Sequence, residues 1–218
     1  MPSICFDERK FALPPVSAAD EDGLVLIGGR PTPERIAQAY AKGIFPWNND
    51  DSLPLWFSPD PRFVLFPEEL HVSRSMSKVL RRGEFVFKLD TAFENVITAC
   101  ATTRREGQDG TWITPSMQEA YTLLHNQGIA HSAETWTDGE LVGGIYGLRL
   151  GNVFFGESMF SIRPNASKFA FIRYVQQLKE EGVTLVDCQV HSEHVEALGA
   201  RLISRSDYLN RLSQAISF

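Results

Sequence analysis

Phe154-Phe155-Gly156-Glu157-Ser158-Met159-Phe160-Ser161 reads as an apolar strand with a carboxylate inside it. Val183-Thr184-Leu185-Val186-Asp187-Cys188-Gln189-Val190 repeats that pattern one helix later. An unpaired charge loses its hydration in such a setting, so an acid there has partners or a task. Side chains two apart on a strand share a face, which puts Asp187 and Gln189 side by side. Between the two runs Asn165 caps a helix over 166–181, with Phe169, Ile172, Val175 and Leu178 as its apolar stripe and Gly182 at its C-terminal cap. The unit is strand, helix, strand, and its polar residues mark either a site or a buried polar network.

Upstream, the period changes to alternation over Ala130–Trp136, Leu141–Leu148 and Val153–Phe160, with turns at Thr137-Asp138-Gly139 and Gly151-Asn152. That pattern predicts three antiparallel strands in a meander. Downstream come a short helix over Ser192–Leu198, a strand over Ala200–Ser204 and a terminal helix capped by Ser206. Nearer the start, Thr32-Pro33-Glu34 opens a helix that Gly43 stops, and Ser73 caps another that runs to Arg82. Thr91 with Glu94 forms a capping box for a helix to about Thr103, and Thr114-Pro115 opens one that runs to Gly128.

Residues 11–29 read as a loop-rich lead. Ile44–Pro67 holds five prolines, two tryptophans and four phenylalanines, a rigid and irregular segment in which the domain boundary falls near Arg62. The expected organisation is α+β: a small N-terminal α/β domain over 1–62, then a domain over 63–218 with a mixed, mostly antiparallel sheet flanked by helices.

The chain has 218 residues, 43% of them hydrophobic, which is enough for a sizeable core. Its net charge of −6 argues against coating nucleic acid by bulk electrostatics and leaves room for a local basic face. Arg74, Lys78, Arg81 and Arg82 supply one, at helical spacing on the Ser73 helix. Cys5, Cys100 and Cys188 have no short spacing, so neither a disulfide framework nor a zinc knuckle is indicated. With no long apolar run, the expectation is a soluble cytoplasmic protein.

Taken in order, Ala39-Tyr40-Ala41-Lys42-Gly43-Ile44-Phe45-Pro46-Trp47, Trp56-Phe57-Ser58-Pro59-Asp60-Pro61-Arg62, His71-Val72-Ser73-Arg74-Ser75, Gly110-Thr111-Trp112-Ile113, Gly143-Gly144-Ile145-Tyr146-Gly147, Gly156-Glu157-Ser158-Met159-Phe160-Ser161, Asn165-Ala166-Ser167-Lys168, Asp187-Cys188-Gln189 and Leu198-Gly199-Ala200 resemble the successive signatures of the leucyl/phenylalanyl-tRNA–protein transferases. The resemblance implies a C-terminal domain similar to GCN5-related acetyltransferases and a monomer without cofactor or metal. It implies transfer of Leu or Phe, less readily Met, from aminoacyl-tRNA to proteins beginning with Arg or Lys, which marks them for degradation. The sequence departs from the family pattern at Arg30, where Asp is usual, at Ser192, where Asn is common, and in a short tail after the last helix.

The chemistry follows from the substrates. An aminoacyl ester is an activated acyl donor, and an α-amino group with a pKa of about 7.7–8.0 is partly unprotonated at neutral pH, so positioning supplies much of the acceleration. Gln189 is a poor base and is assigned to orienting the reactants, with Asp187 holding its amide and favouring loss of the amine's proton. Whether the pair transfers that proton or only positions the reactants stays open at this level. Glu157 binds an amine through a charge-assisted hydrogen bond. Ile145, Phe154 and Met159 suit an apolar side-chain pocket. Trp47 and Trp112 resemble the family's aromatic contacts to the terminal adenosine and its aminoacyl group, with Tyr40 and Tyr121 near them in the motifs, Ser192 adds a polar contact, and the basic face meets acceptor-stem phosphates.

Three rivals compete. An acetyl-CoA-dependent acetyltransferase needs a glycine-rich loop, and Ser161-Ile162-Arg163-Pro164-Asn165 has no glycine. A metal-binding hydrolase would use Cys188, His191 and His194 with Asp187, a pattern that matches no standard zinc spacing. A non-enzymatic RNA-binding module leaves Glu157, Asp187 and Gln189 without a task.

Overall fold

Local sequence sets most of the helix starts. The hydroxyls of Thr32, Ser73, Thr114 and Ser204 accept from the backbone N–H three residues on, at 3.3, 3.2, 3.4 and 3.2 Å. The computed structural model describes residues 3–4, 13–47, 53–103 and 111–216. In chain order the elements are β1 (Ser3–Ile4), β2 (Leu24–Ile27), α1 (Pro33–Ala41), β3 (Phe45–Pro46), β4 (Leu55–Phe57), β5 (Arg62–Leu65), α2 (Arg74–Arg81), β6 (Val86–Leu89), α3 (Phe93–Thr102), α4 (Pro115–Asn126), β7 (Ala130–Thr137), β8 (Glu140–Leu150), β9 (Val153–Ser161), α5 (Ala166–Glu180), β10 (Leu185–Asp187), α6 (Glu193–Glu196), β11 (Arg201–Ile203) and α7 (Arg205–Ala215).

Two sheets result. The smaller has the order β1-β2-β4-β3, and the larger β11-β5-β10-β9-β8-β7-β6. Every pairing in the larger sheet is antiparallel except that of β9 with β10, which α5 connects. The architecture is α+β, as expected. The apolar stripe of α5, Phe169, Ile172, Val175 and Leu178, is buried throughout. Val25, Leu26, Tyr40 and Trp56 belong to the same buried cluster as Val64, Tyr146 and Phe155, so the two sheets share a core.

Several local expectations are corrected. The stretches read as irregular hold β2, β3, β4 and β5, and the span from Gly83 to Thr91, assigned no element, holds β6. Strands of two to four residues are too short to display a period of two, and the prolines between them mask the rest. Thr91 does not cap α3. Instead the buried carboxylate of Glu134 on β7 accepts from the backbone N–H of Thr91 at 2.8 Å and of Ala92 at 2.7 Å, and also from the Thr91 hydroxyl. The Glu134 carboxyl group, brought to the helix N-terminus from β7, replaces the capping box. Asn165 precedes α5 at φ 71° with no side-chain cap, and Ser204 rather than Ser206 caps α7.

One further correction shapes the site. The strand expected over 183–190 ends at Asp187, and Gln189 adopts φ 59°, in the left-handed region. Asp187 and Gln189 therefore do not share a strand face.

Candidate active site

The parallel pair β9 and β10 stays in register from Leu185 opposite Val153 to Asp187 opposite Phe155. Beyond that point the chain keeps to β5, with Cys188 N–H donating to the Phe63 carbonyl at 3.0 Å and Phe63 N–H to the Gln189 carbonyl at 3.2 Å. It leaves β9, which runs on to Ser161, and the two strands part. On its other side β9 carries a bulge: Tyr146 faces Ser158 and Gly147 faces Gly156, so Glu157 is the extra residue. Bulges re-aim side chains, and this one turns Glu157 toward the gap. Gly147 permits the close approach, because a Cβ there would lie 2.1 Å from the Phe155 carbonyl oxygen and 2.5 Å from the Phe154 ring.

The gap widens into a cavity of about 540 Å³. Phe45, Pro46 and Trp47 form one wall, and Gln189, Val190 and Ser192 another. Ile145 and Met159, directly opposite each other across β8 and β9, line it together with Phe171 of α5. Trp112 and Thr103 also contribute, on either side of residues 104–110, which lie outside those described. Gly110 of the expected motif lies there too.

Among the described residues, Glu157 is the acid that faces this space. One of its oxygens accepts from the Tyr40 hydroxyl and, at 3.5 Å, from the Gln189 side-chain amide. The Tyr40 and Tyr121 hydroxyls lie 3.2 Å apart. Burial pushes the Glu157 carboxyl up to about 8, against the tyrosine hydrogen bonds that favour its charged form; nearby Asp187 raises it further and Arg62 counteracts. Part of the group meets the cavity while the rest is enclosed by protein. Burial, followed by Glu157 itself, raises the Tyr40 phenol well above its usual value, so it remains a donor. A neutral acid, a neutral amide and an apolar floor can hold an uncharged amine and an ester carbonyl without the penalty of burying a lone charge.

Asp187 is different. It is wholly buried and is not part of the cavity wall. Arg62 donates to both its oxygens, Nε at 2.8 Å and Nη2 at 2.7 Å, the Tyr208 hydroxyl donates at 2.8 Å, and the Gln189 backbone N–H at 3.0 Å. The expected hold of Asp187 on the Gln189 amide is thus on the backbone rather than the side chain.

The cavity brings together most of the expected residues: Glu157, Gln189, Trp47, Trp112, Ile145, Met159 and Ser192. Tyr40 and Tyr121 are fully buried behind Glu157 and line no part of it. Phe154 also lies off the wall, edge-on to Tyr174 at 4.9 Å. Arg74, Lys78, Arg81 and Arg82 are exposed, and none forms an ion pair among the described residues. The donor set weighed for a metal does not assemble: Asp187 is occupied by Arg62, His191 faces Glu196 at 3.1 Å, and no group of three or more His, Cys, Asp or Glu among the described residues is placed to hold an ion. Among the described residues no helix is long and apolar enough to cross a membrane.

Sequence reasoning missed Arg62 and Tyr208 as site residues. Arg62 carried a weaker signal than Glu157, a charge at the head of the apolar run Phe63-Val64-Leu65, whereas Tyr208 carried none. It also missed His194 outside the metal pattern. His194 lines the cavity, its Nε2 is buried without a hydrogen-bond partner, and burial and then Lys168 hold its pKa below the usual imidazole range.

Two family descriptions match the chain, "Leucyl/phenylalanyl-tRNA protein transferase" over residues 64–213 and its "N-terminal domain" over 29–60. Proteins named "Leucyl/phenylalanyl-tRNA--protein transferase" align along almost its whole length. The one from Anaeromyxobacter sp. (strain Fw109-5) is 51% identical, over 95% of this chain and 88% of its own. The one from Christiangramia forsetii is 53% identical, over 94% and 97%. Among solved structures the chain is similar to a GCN5-related N-acetyltransferase from Kribbella flavida, with a TM-score of 0.39 and 13% identity over 74% of this chain and 57% of that one. With both family descriptions matched in order and half of its residues shared with such relatives, the chain belongs to the leucyl/phenylalanyl-tRNA–protein transferase family.

Proposed function

We propose that this chain is an aminoacyltransferase that moves Leu or Phe, and less readily Met, from aminoacyl-tRNA to proteins beginning with Arg or Lys, a mark for their degradation. It works as a cytoplasmic monomer, with residues 1–62 and 63–218 as its two units. The observation that carries the reading is the pairing of Glu157 with Gln189 over an apolar cavity.

In this reading the acceptor's α-amine, in its unprotonated form, attacks the ester carbonyl carbon. The bond from that carbon to the ribose oxygen breaks, an amide forms, and the proton lost by the amine passes to the departing ribose oxygen. No covalent enzyme intermediate is required, because the ester is already activated. Gln189 orients the reacting groups and Glu157 takes the amine of the aminoacyl group through a hydrogen bond. Ile145 and Met159 receive the aminoacyl side chain, and Trp47 and Trp112 stack on the terminal adenosine. Ser192 gives a polar contact. Tyr40 and Tyr121 act from behind Glu157, Phe154 supports the floor from below, and Arg74, Lys78, Arg81 and Arg82 meet acceptor-stem phosphates.

Incubation with labelled Phe-tRNA and a peptide beginning with Arg tests this. Label appears on the peptide and is lost after RNase treatment of the donor. Label on a peptide from acetyl-CoA instead would support the acetyltransferase alternative.

A further inference from the structure

A carboxylate offers about four lone-pair directions, and Asp187 has four donors on them: two from Arg62, one from Tyr208 and one from the Gln189 backbone. It faces no part of the cavity. No lone pair of Asp187 is left to take a proton from a substrate amine, so its contribution to transfer runs through what it holds. It holds Gln189 in a backbone conformation that a residue with a side chain rarely adopts, φ 59°.

Arg62 extends the hold to the opposite wall. Its guanidinium lies between the rings of Phe45 and Tyr208, 4.7 and 4.6 Å from their centroids, and its Nη1 donates to the Gly43 carbonyl at 3.3 Å. Phe45 lines the cavity two residues before Trp47. Tyr208 reaches this centre from α7, seated against Gly43, where a Cβ would lie 3.0 Å from the Tyr208 ring and 2.7 Å from Leu209. One buried guanidinium therefore touches the backbone that leads into the aromatic wall and the carboxylate that anchors the Gln189 turn.

We propose that Arg62 and Tyr208 are positioning residues for the transfer step, acting through Asp187 to fix the left-handed turn that presents Gln189 to the cavity. The inference rests on the transferase reading of the cavity. It differs from a plain stabilising role, because a buried ion pair adds little stability over a well-packed apolar pair. The planar fork of Arg makes two parallel bonds that Lys cannot reproduce.

Tyr208→Phe removes one donor to Asp187 and little volume. Its kcat for transfer from Phe-tRNA falls about tenfold, while the KM for the donor stays within about twofold and the circular dichroism is unchanged. The backbone amide resonance of Gln189, followed by ¹⁵N NMR, shifts in the same variant because its acceptor has moved. Arg62→Lys loses about a hundredfold in kcat, and Arg62→Ala recovers part of its loss when methylguanidine is added. Wild-type kcat in both Tyr208→Phe and Arg62→Lys overturns the proposal, as does a loss confined to KM or an unmoved Gln189 amide. If the wild-type protein transfers no label, the transferase reading fails, and the amide shift still decides whether the hold exists.

Discussion

Glu157 and Asp187 stand on neighbouring strands, each inside an apolar run, and both bond to Gln189, one to its side chain and the other to its backbone. Asp187 has a bidentate guanidinium, a tyrosine hydroxyl and no contact with the cavity. Glu157 faces the cavity, has a buried tyrosine hydroxyl and an amide as donors, and has its carboxyl pushed up to about 8 by burial. What separates a buried anchor from an acid that faces the cavity here is the charge and number of the donors around it. Strand position and residue type do not separate them. Glu134 makes the same point from a third strand, with its donors at the start of α3, Ser132 and Trp136 holding it in a purely structural place.

The comparison breaks most sharply at Asp187. Asp187→Ala leaves the fully buried Arg62 cation unpaired, a loss of about 3–5 kcal/mol in unfolding free energy by denaturant titration. That variant therefore confounds chemistry with folding. A loss below about 1 kcal/mol would show that the ion pair is not the anchor described here.

Glu157→Gln moves stability the other way. A carboxyl whose folded value lies above its unfolded value keeps its full contribution to stability below the unfolded pKa and loses it as pH rises toward the folded one. Here that window runs from about 4.5 to about 8. The Gln variant lacks this loss, so it is as stable as wild type near pH 4 and gains up to about 3 kcal/mol by pH 8, after allowance for water in the cavity. Transfer activity falls at the same time. Parallel melting temperatures from pH 4 to 8 would mean that Glu157 is ionised in the fold.

Much of this centre was legible in the sequence. Glu157, Asp187 and Gln189 announced themselves as polar residues in apolar runs, and the caps at Thr32, Ser73 and Thr114 fixed three helices. Other features depend on partners that only the fold supplies. The bulge at Glu157 exists because β8 advances one residue while β9 advances two, and nothing in the local pattern of β9 records that. The turn at Gln189 has a residue type that predicts no positive φ. Tyr208 joins the site across 21 residues, from a helix whose sequence reads as an ordinary surface helix.

Gly147→Ala sharpens the geometric half of the comparison. A methyl group there meets the Phe155 carbonyl oxygen at 2.1 Å, so β9 must shift, at a cost of about 2 kcal/mol from overpacking. The shift moves Glu157 relative to Gln189. The expected result is lost transfer with a pH-dependence of stability flatter than wild type, read from melts across the same range. Full transfer would show that the bulge does not set the position of Glu157.

The smallest effect on the fold comes from cations that, unlike Arg62, lie in water. Lys78→Ala with Arg81→Ala changes two exposed positions of α2 that have no ion-pair partner among the described residues, and surface changes of this kind leave stability within about 0.5 kcal/mol. If this face meets phosphates, each lost contact removes nearly one unit from the slope of log affinity for tRNA against log salt, with duplex DNA as the guide. A minimal aminoacyl-adenosine donor has no stem and reacts with the double variant as it does with wild type. Filter binding of full-length tRNA at several salt concentrations, beside turnover on the minimal donor, separates the outcomes. A changed slope with unchanged minimal-donor turnover places these cations on the stem, and an unchanged slope leaves them a solvated face. Equal losses on both donors would mean that α2 acts through the cavity, as Arg62 does.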